Sequence, residues 1–81
     1  MKRYLVVIEK ARNNYSAYVP DLPGCVATGA TRAAARKSIR EAIQFHIEGL
    51  RADGLPVPKP STVSAEIDIG SPRKPPRRSA A

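Results

Sequence analysis

The sequence predicts an α+β domain of element order β-β-β-α-β, with a mixed sheet ordered 3-2-1-4 and one helix on one face. Three observations carry that expectation. Tyr15 to Thr28 reads as two short strands around Pro20-Asp21-Leu22-Pro23-Gly24. The two prolines of that turn lock φ near −65°, and its glycine is free to take φ > 0. Behind Thr31, apolar residues recur at helical spacing from Ala35 to Leu50. Thr62 to Ile69 then alternates apolar with polar residues, the period of a strand with one covered side.

Taken in order, strand one is Arg3 to Glu9. Tyr4, Val6 and Ile8 point one way, and Leu5 and Val7, also apolar, point the other. Apolar residues on both faces imply a central strand covered on both sides, with a second chain against the face away from the helix. Leu5 and Val7 are therefore the candidates for self-association into a homodimer. Lys10 to Asn14 form a polar hairpin loop, in which Asn13 and Asn14 tolerate left-handed geometry. Strand two is Tyr15 to Val19, strand three is Cys25 to Thr28, and Gly29 closes it.

The helix runs from Arg32 to about Asp53, with Thr31 as N-cap. Its N3 residue is Ala34, so the reciprocal capping box is missing. Arg32 opposes the helix dipole and Arg51 complements it. Stability must come from the stripe of Ala35, Ile39, Ala42, Ile43, His46, Ile47 and Leu50. Gly49 costs about 1 kcal/mol relative to Ala inside a helix, which is read as close packing against a strand or partner helix. Gly54 supplies the left-handed C′ position. Leu55 to Pro60 is polyproline-like and returns the chain toward the sheet. Strand four is Thr62 to Ile69, with Val63, Ala65, Ile67 and Ile69 on its core side. A right-handed crossover through the helix sets it beside strand one.

At 81 residues the chain holds one small domain, residues 1–69, followed by a basic proline-rich tail, residues 70–81, expected to stay disordered. The formal charge is +7, and Arg73, Lys74, Arg77 and Arg78 put +4 of it in the tail. The other 10 basic and 7 acidic residues leave +3 on the domain. Such a tail is a candidate contact for nucleic acid. The single cysteine, Cys25, excludes an internal disulfide and suits a reducing compartment, with a small apolar role in the core. Leu5 to Ile8 is too short for a secretory h-region, and no apolar run approaches the ~20 residues of a membrane span. The expected location is cytoplasmic.

Catalytic chemistry has little to stand on. The seven carboxylates are Glu9, Asp21, Glu41, Glu48, Asp53, Glu66 and Asp68, and nothing in their spacing makes them converge as a two-metal site requires. Asp21 is read as a turn residue bonding locally. His46, the sole histidine, sits on the apolar helix face without an acid partner, and Cys25 has no neighbouring cation to favour a thiolate. No catalytic residue, metal site or cofactor is expected, so the chain is read as a non-enzyme.

Three pieces together resemble the HicB-type antitoxins. They are Tyr18-Val-Pro-Asp-Leu-Pro-Gly-Cys25 continuing through Thr28-Gly-Ala-Thr31, then Arg40-Glu-Ala-Ile43 with His46-Ile-Glu-Gly-Leu50, then Asp53-Gly-Leu-Pro-Val-Pro58. The likeness runs from strand one to Pro60. It implies a degenerate ribonuclease-H-like domain without that enzyme's catalytic carboxylates. It further implies a partner, a small RNase toxin of the HicA type, neutralised by occlusion of its active site. Many members add a DNA-binding module that represses their own operon; here a short basic tail follows Ile69. The helix surface also departs from expectation, because Arg32, Arg36, Lys37 and Arg40 make a basic face ill-suited to a basic toxin. The candidate toxin contacts are Tyr18, Pro20, Asp21, Leu22 and Pro23, a rigid edge with little ordering entropy to lose. The alternatives are a small nucleic-acid-binding protein using Arg73, Lys74, Arg77 and Arg78, or an orphan relative without a toxin.

Overall fold

The computed structural model describes residues 2–70. Strands β1 (Val7–Lys10), β2 (Tyr15–Tyr18) and β3 (Val26–Gly29) precede one helix, α1 (Arg32–Ala52). The strands form an antiparallel meander in the order β1-β2-β3. The helix packs chiefly on β3, less on β2 and least on β1. This offset leaves the β1 side of the inner sheet face partly uncovered.

Each boundary has a local cause. The β1–β2 hairpin closes with the Ala11 amide donating to the Asn14 carbonyl at 2.7 Å. Neither Asn13 nor Asn14 takes a positive φ, so the hairpin does not use the left-handed geometry these residues tolerate. At the other end, the Val19 amide donates to the Cys25 carbonyl at 3.2 Å, so those two residues bracket the Pro20–Gly24 turn instead of extending the ladder. Gly24 sits at φ +84°, where an L side chain is disfavoured. Inside the turn, Leu22 donates to Val19 (3.1 Å) and accepts from Cys25 (3.0 Å).

Strand one is shorter than expected, and the register explains why. Val7 pairs with Tyr18, so residues 4–6 lie opposite the start of the turn, where Pro20 has no N–H to offer. The sheet thus has β1 as an edge, not as the central strand that its two apolar faces suggested.

Thr31 caps the helix as expected, its hydroxyl accepting from the Ala34 amide at 3.0 Å. At the far end, Leu55 donates to Leu50 (2.9 Å) and Gly54 to Arg51 (3.0 Å), with Gly54 at φ +70°. This paired closure is a Schellman stop. Ala35 and Ile39 are buried, and Ala42 and Ile43 pack against them at the margin of the core. The rest of the core is Ala17, Val19, Leu22 and Cys25. Full burial of one side chain such as Ile39 is worth roughly 1.5–3 kcal/mol.

Two glycines behave oppositely. A Cβ on Gly29 would lie 2.3 Å from the Ala35 amide nitrogen, so β3 runs against the first turn of α1 with no room for a side chain. Gly49 was expected to mark close packing, but a Cβ there meets nothing within 4 Å. The expectation failed because Gly49 lies on the exposed side of the helix, away from the sheet.

The expected fourth strand is the main correction. Thr62 to Ile69 has no ladder partner, and the sheet has three strands, not the order 3-2-1-4. Val63, Ile67 and Ile69 are 85%, 77% and 91% exposed. The alternation predicts a strand, and the structure has none there. Within one chain the segment projects from residue 63 onward and buries none of its apolar side chains.

Candidate functional site: the outer sheet face and its turn

Strand alternation sends Ile8, Ala17 and Ala27 toward the helix and the residues beside them to the other face. On that outer face, Val7 pairs with Tyr18 and Tyr18 with Val26, a cross-strand apolar row. Leu5 shares the parity of Val7 and is half-buried. No element of the described chain covers the row, and Val26 is 65% exposed. A polar row of Glu9, Ser16 and Thr28 borders it.

The candidate toxin contacts divide in this setting. Tyr18, Pro20 and Pro23 are exposed around the outer rim of the sheet and its turn. Leu22 is 0% exposed and plugs the core, so its side chain is no part of an exposed edge. The reason is the pair of main-chain bonds described above, which fold the turn inward at Leu22. Asp21 does not bond locally. Its carboxylate accepts from the Thr62 amide (3.0 Å) and hydroxyl (2.7 Å) and from the Ser61 amide (2.9 Å) and hydroxyl (3.1 Å). Those four donors, with the Thr62 amide contributing most, hold its pKa at about 2 against an ordinary 3.8. Asp21 is a clamp that ties the chain after the helix to the turn. Tyr4 adds a second tie, its hydroxyl donating to the Pro58 carbonyl.

Leu5 and Val7, read as a self-association surface, lie on the same outer face as Tyr18. The residue missed in the sequence is Val26. The alternation of buried Cys25 with Val26 and then Ala27 was the signal that could have found it. Phe45, 80% exposed on the helix, was also passed over. Burial pushes the Cys25 thiol pKa up, consistent with a packing role. Among the described residues, no three His, Cys, Asp or Glu side chains cluster as metal ligands. No helix there is long and apolar enough to cross a membrane. Arg73, Lys74, Arg77 and Arg78 lie outside the described residues.

The domain thus presents an uncovered apolar sheet face with a rigid turn at its rim. A family model describing the HicB-like antitoxin of bacterial toxin–antitoxin systems matches residues 4–70, and the chain belongs to that family. It is 44% identical over 64 residues to a UPF0150 protein of Helicobacter pylori, covering 78% of this chain and 89% of that one. An uncharacterised 14.9 kDa protein of Haemophilus phage HP1 is 40% identical over 65 residues, covering 80% of this chain. The chain spans about half of that phage protein, 49% of its length. Among solved structures, a chain of a HicA3 and HicB3 toxin–antitoxin complex superposes with a TM-score of 0.65 at 37% identity. That match covers 74% of this chain and 70% of the other.

Proposed function

We propose that the chain is an antitoxin that neutralises a small RNase toxin of the HicA type in the cytoplasm. On this reading, it acts by occlusion and covers the toxin's active site with its outer sheet face. The observation that carries the reading is the uncovered row of Val7, Tyr18 and Val26. Membership of the HicB-like antitoxin family and the match to a chain of a HicA3–HicB3 toxin–antitoxin complex support the class of partner. The contact set is Tyr18, Pro20 and Pro23 joined by Leu5, Val7 and Val26. Asp21 and Leu22 act behind it by fixing the turn. The family's finer architecture, a degenerate ribonuclease-H-like domain, belongs to the same proposal.

The test is co-expression with the neighbouring open reading frame, followed by affinity purification of the complex and an RNA-cleavage assay. Wild type should retain the neighbour and suppress cleavage. Val26→Asp and Tyr18→Asp should release it while their circular dichroism stays unchanged. A neighbour that never co-purifies would refute the antitoxin reading. Retention by both variants at wild-type affinity would refute the assigned face.

A further inference from the structure

We propose that the segment after Thr62 is an exchange arm. The arm of one copy lies along the open β1 edge of a second copy, and the exchange is reciprocal. The first argument is the main chain. Arg3 to Val6 and Val63 to Ile69 are both extended, apolar-rich segments, yet no main-chain hydrogen bond joins either to another described segment. Two unpaired strand-formers in one molecule are natural partners, since exposed edges attract further strands. Their lengths agree, because seven residues of arm span ~23 Å and Arg3 to Lys10 spans ~26 Å.

The second argument is the surface beside that edge. Because α1 sits toward β3, a groove of ≈ 700 Å³ opens between β1 and the helix. Val6, Ile8 and Ile43 form its apolar floor, and Arg36, Lys37 and Arg40 line its helix side. The arm brings what this groove lacks. Val63, Ala65, Ile67 and Ile69 occupy one side of it, while Glu66 and Asp68 give it −2 with no base between Ser61 and Gly70. The acidic arm and the basic helix margin are opposite in sign, so the net field favours their approach.

The third argument is how the arm is rooted. Asp21 grips Ser61 and Thr62, and Tyr4 holds Pro58, so the departure point is fixed. From residue 63 onward the chain is exposed and does not turn back onto its own edge. A fixed root with a projecting amphipathic strand is suited to pairing in a second copy. This assigns self-association to the β1 edge and leaves Leu5 and Val7 on the outer face.

The full-length chain alone tests this. Light scattering after size exclusion should give about twice the 8.8 kDa of one chain. In a mixture of isotope-labelled and unlabelled chains, filtered NOEs should connect methyls of Ile67 or Ile69 in one copy with Val6 or Ile8 in the other. Ile67→Lys removes little contact within a single chain, since Ile67 is 77% exposed. It should leave the domain folded and raise the dimer dissociation constant at least ~100-fold, because both symmetric sites lose a buried side chain. A monomer at every concentration would overturn the proposal. So would arm contacts confined to one chain, or a dimer broken by Val7→Asp and indifferent to Ile67→Lys. None of these readouts involves a toxin, so the outcome is independent of the antitoxin test.

Discussion

Replacing Gly29 with alanine is the sharpest test of the packing described here. The added Cβ would stand 2.3 Å from the Ala35 nitrogen, 2.6 Å from the Ala34 carbonyl carbon and 2.8 Å from the Ala35 Cα. All three are main-chain atoms of the first turn of α1, which Thr31 caps, so no flexible side chain can swing aside. Restoring a contact of 3.4 Å requires β3 and the helix start to part by about 1 Å. That separation loosens Ala35, which is fully buried. Overpacking of this kind costs ~1–3 kcal/mol. Rigid main chain on both sides points to the upper end, a fall in Tm on the order of 10–20 °C for a domain this small. Urea unfolding followed by circular dichroism measures it. Gly49→Ala is the internal control, because its Cβ meets nothing. It should stabilise the helix by ~0.5–1 kcal/mol. If Gly29→Ala unfolds within ~0.5 kcal/mol of wild type, the close approach of β3 to α1 is wrong.

Three further outcomes follow from other parts of the structure. Leu22→Ala empties a fully buried site and should cost ~2–5 kcal/mol in denaturant unfolding; a near-neutral result would return Leu22 to the surface. Asp21 has a folded pKa below its ordinary value, so the stability it confers is present above pH 3.8 and lost as pH falls through about 2. The Ser61 and Thr62 amide shifts should therefore hold steady down to about pH 4 and move near pH 2; a midpoint close to 4 would show no clamp. Thr31→Ala removes the acceptor of the Ala34 amide and should cost ~1 kcal/mol, read as a drop in Tm; an unchanged Tm would refute the cap.

The parts of the fold that local chemistry dictates were legible in the sequence. Thr31 caps the helix and Gly54 ends it because those roles depend on one residue's torsions or hydroxyl. The helix stripe was legible because period and burial coincide. The misreadings concern contacts, or their absence, that residue type alone does not announce. Asp21 has a plain turn composition, and nothing near it announces Ser61 and Thr62, 40 residues on. Leu22 looks like an exposed turn residue until the hydrogen bonds of Val19 and Cys25 turn it inward. The alternation of Thr62 to Ile69 reports a period that suits a strand, and says nothing of whether a ladder partner is within reach. For the candidate site, Tyr18, Pro20 and Pro23 were legible as a rigid rim. Val26 emerged only once the register lined it up with Val7 and Tyr18.

The inward turn at Leu22 also bears on how such a surface can diversify. The loop that borders the proposed contact face is not an appendage; its central side chain is part of the hydrophobic interior. Recognition and foldedness therefore share five consecutive residues, Pro20 to Gly24. A variant that adapts to a different partner is free to change Pro20, Pro23 or Tyr18, whose side chains face outward. A change at Leu22 risks losing the protein before any new specificity can be tested. Drift toward new partners is thereby channelled to Tyr18 at the strand end and to the two prolines that flank Asp21 and Leu22.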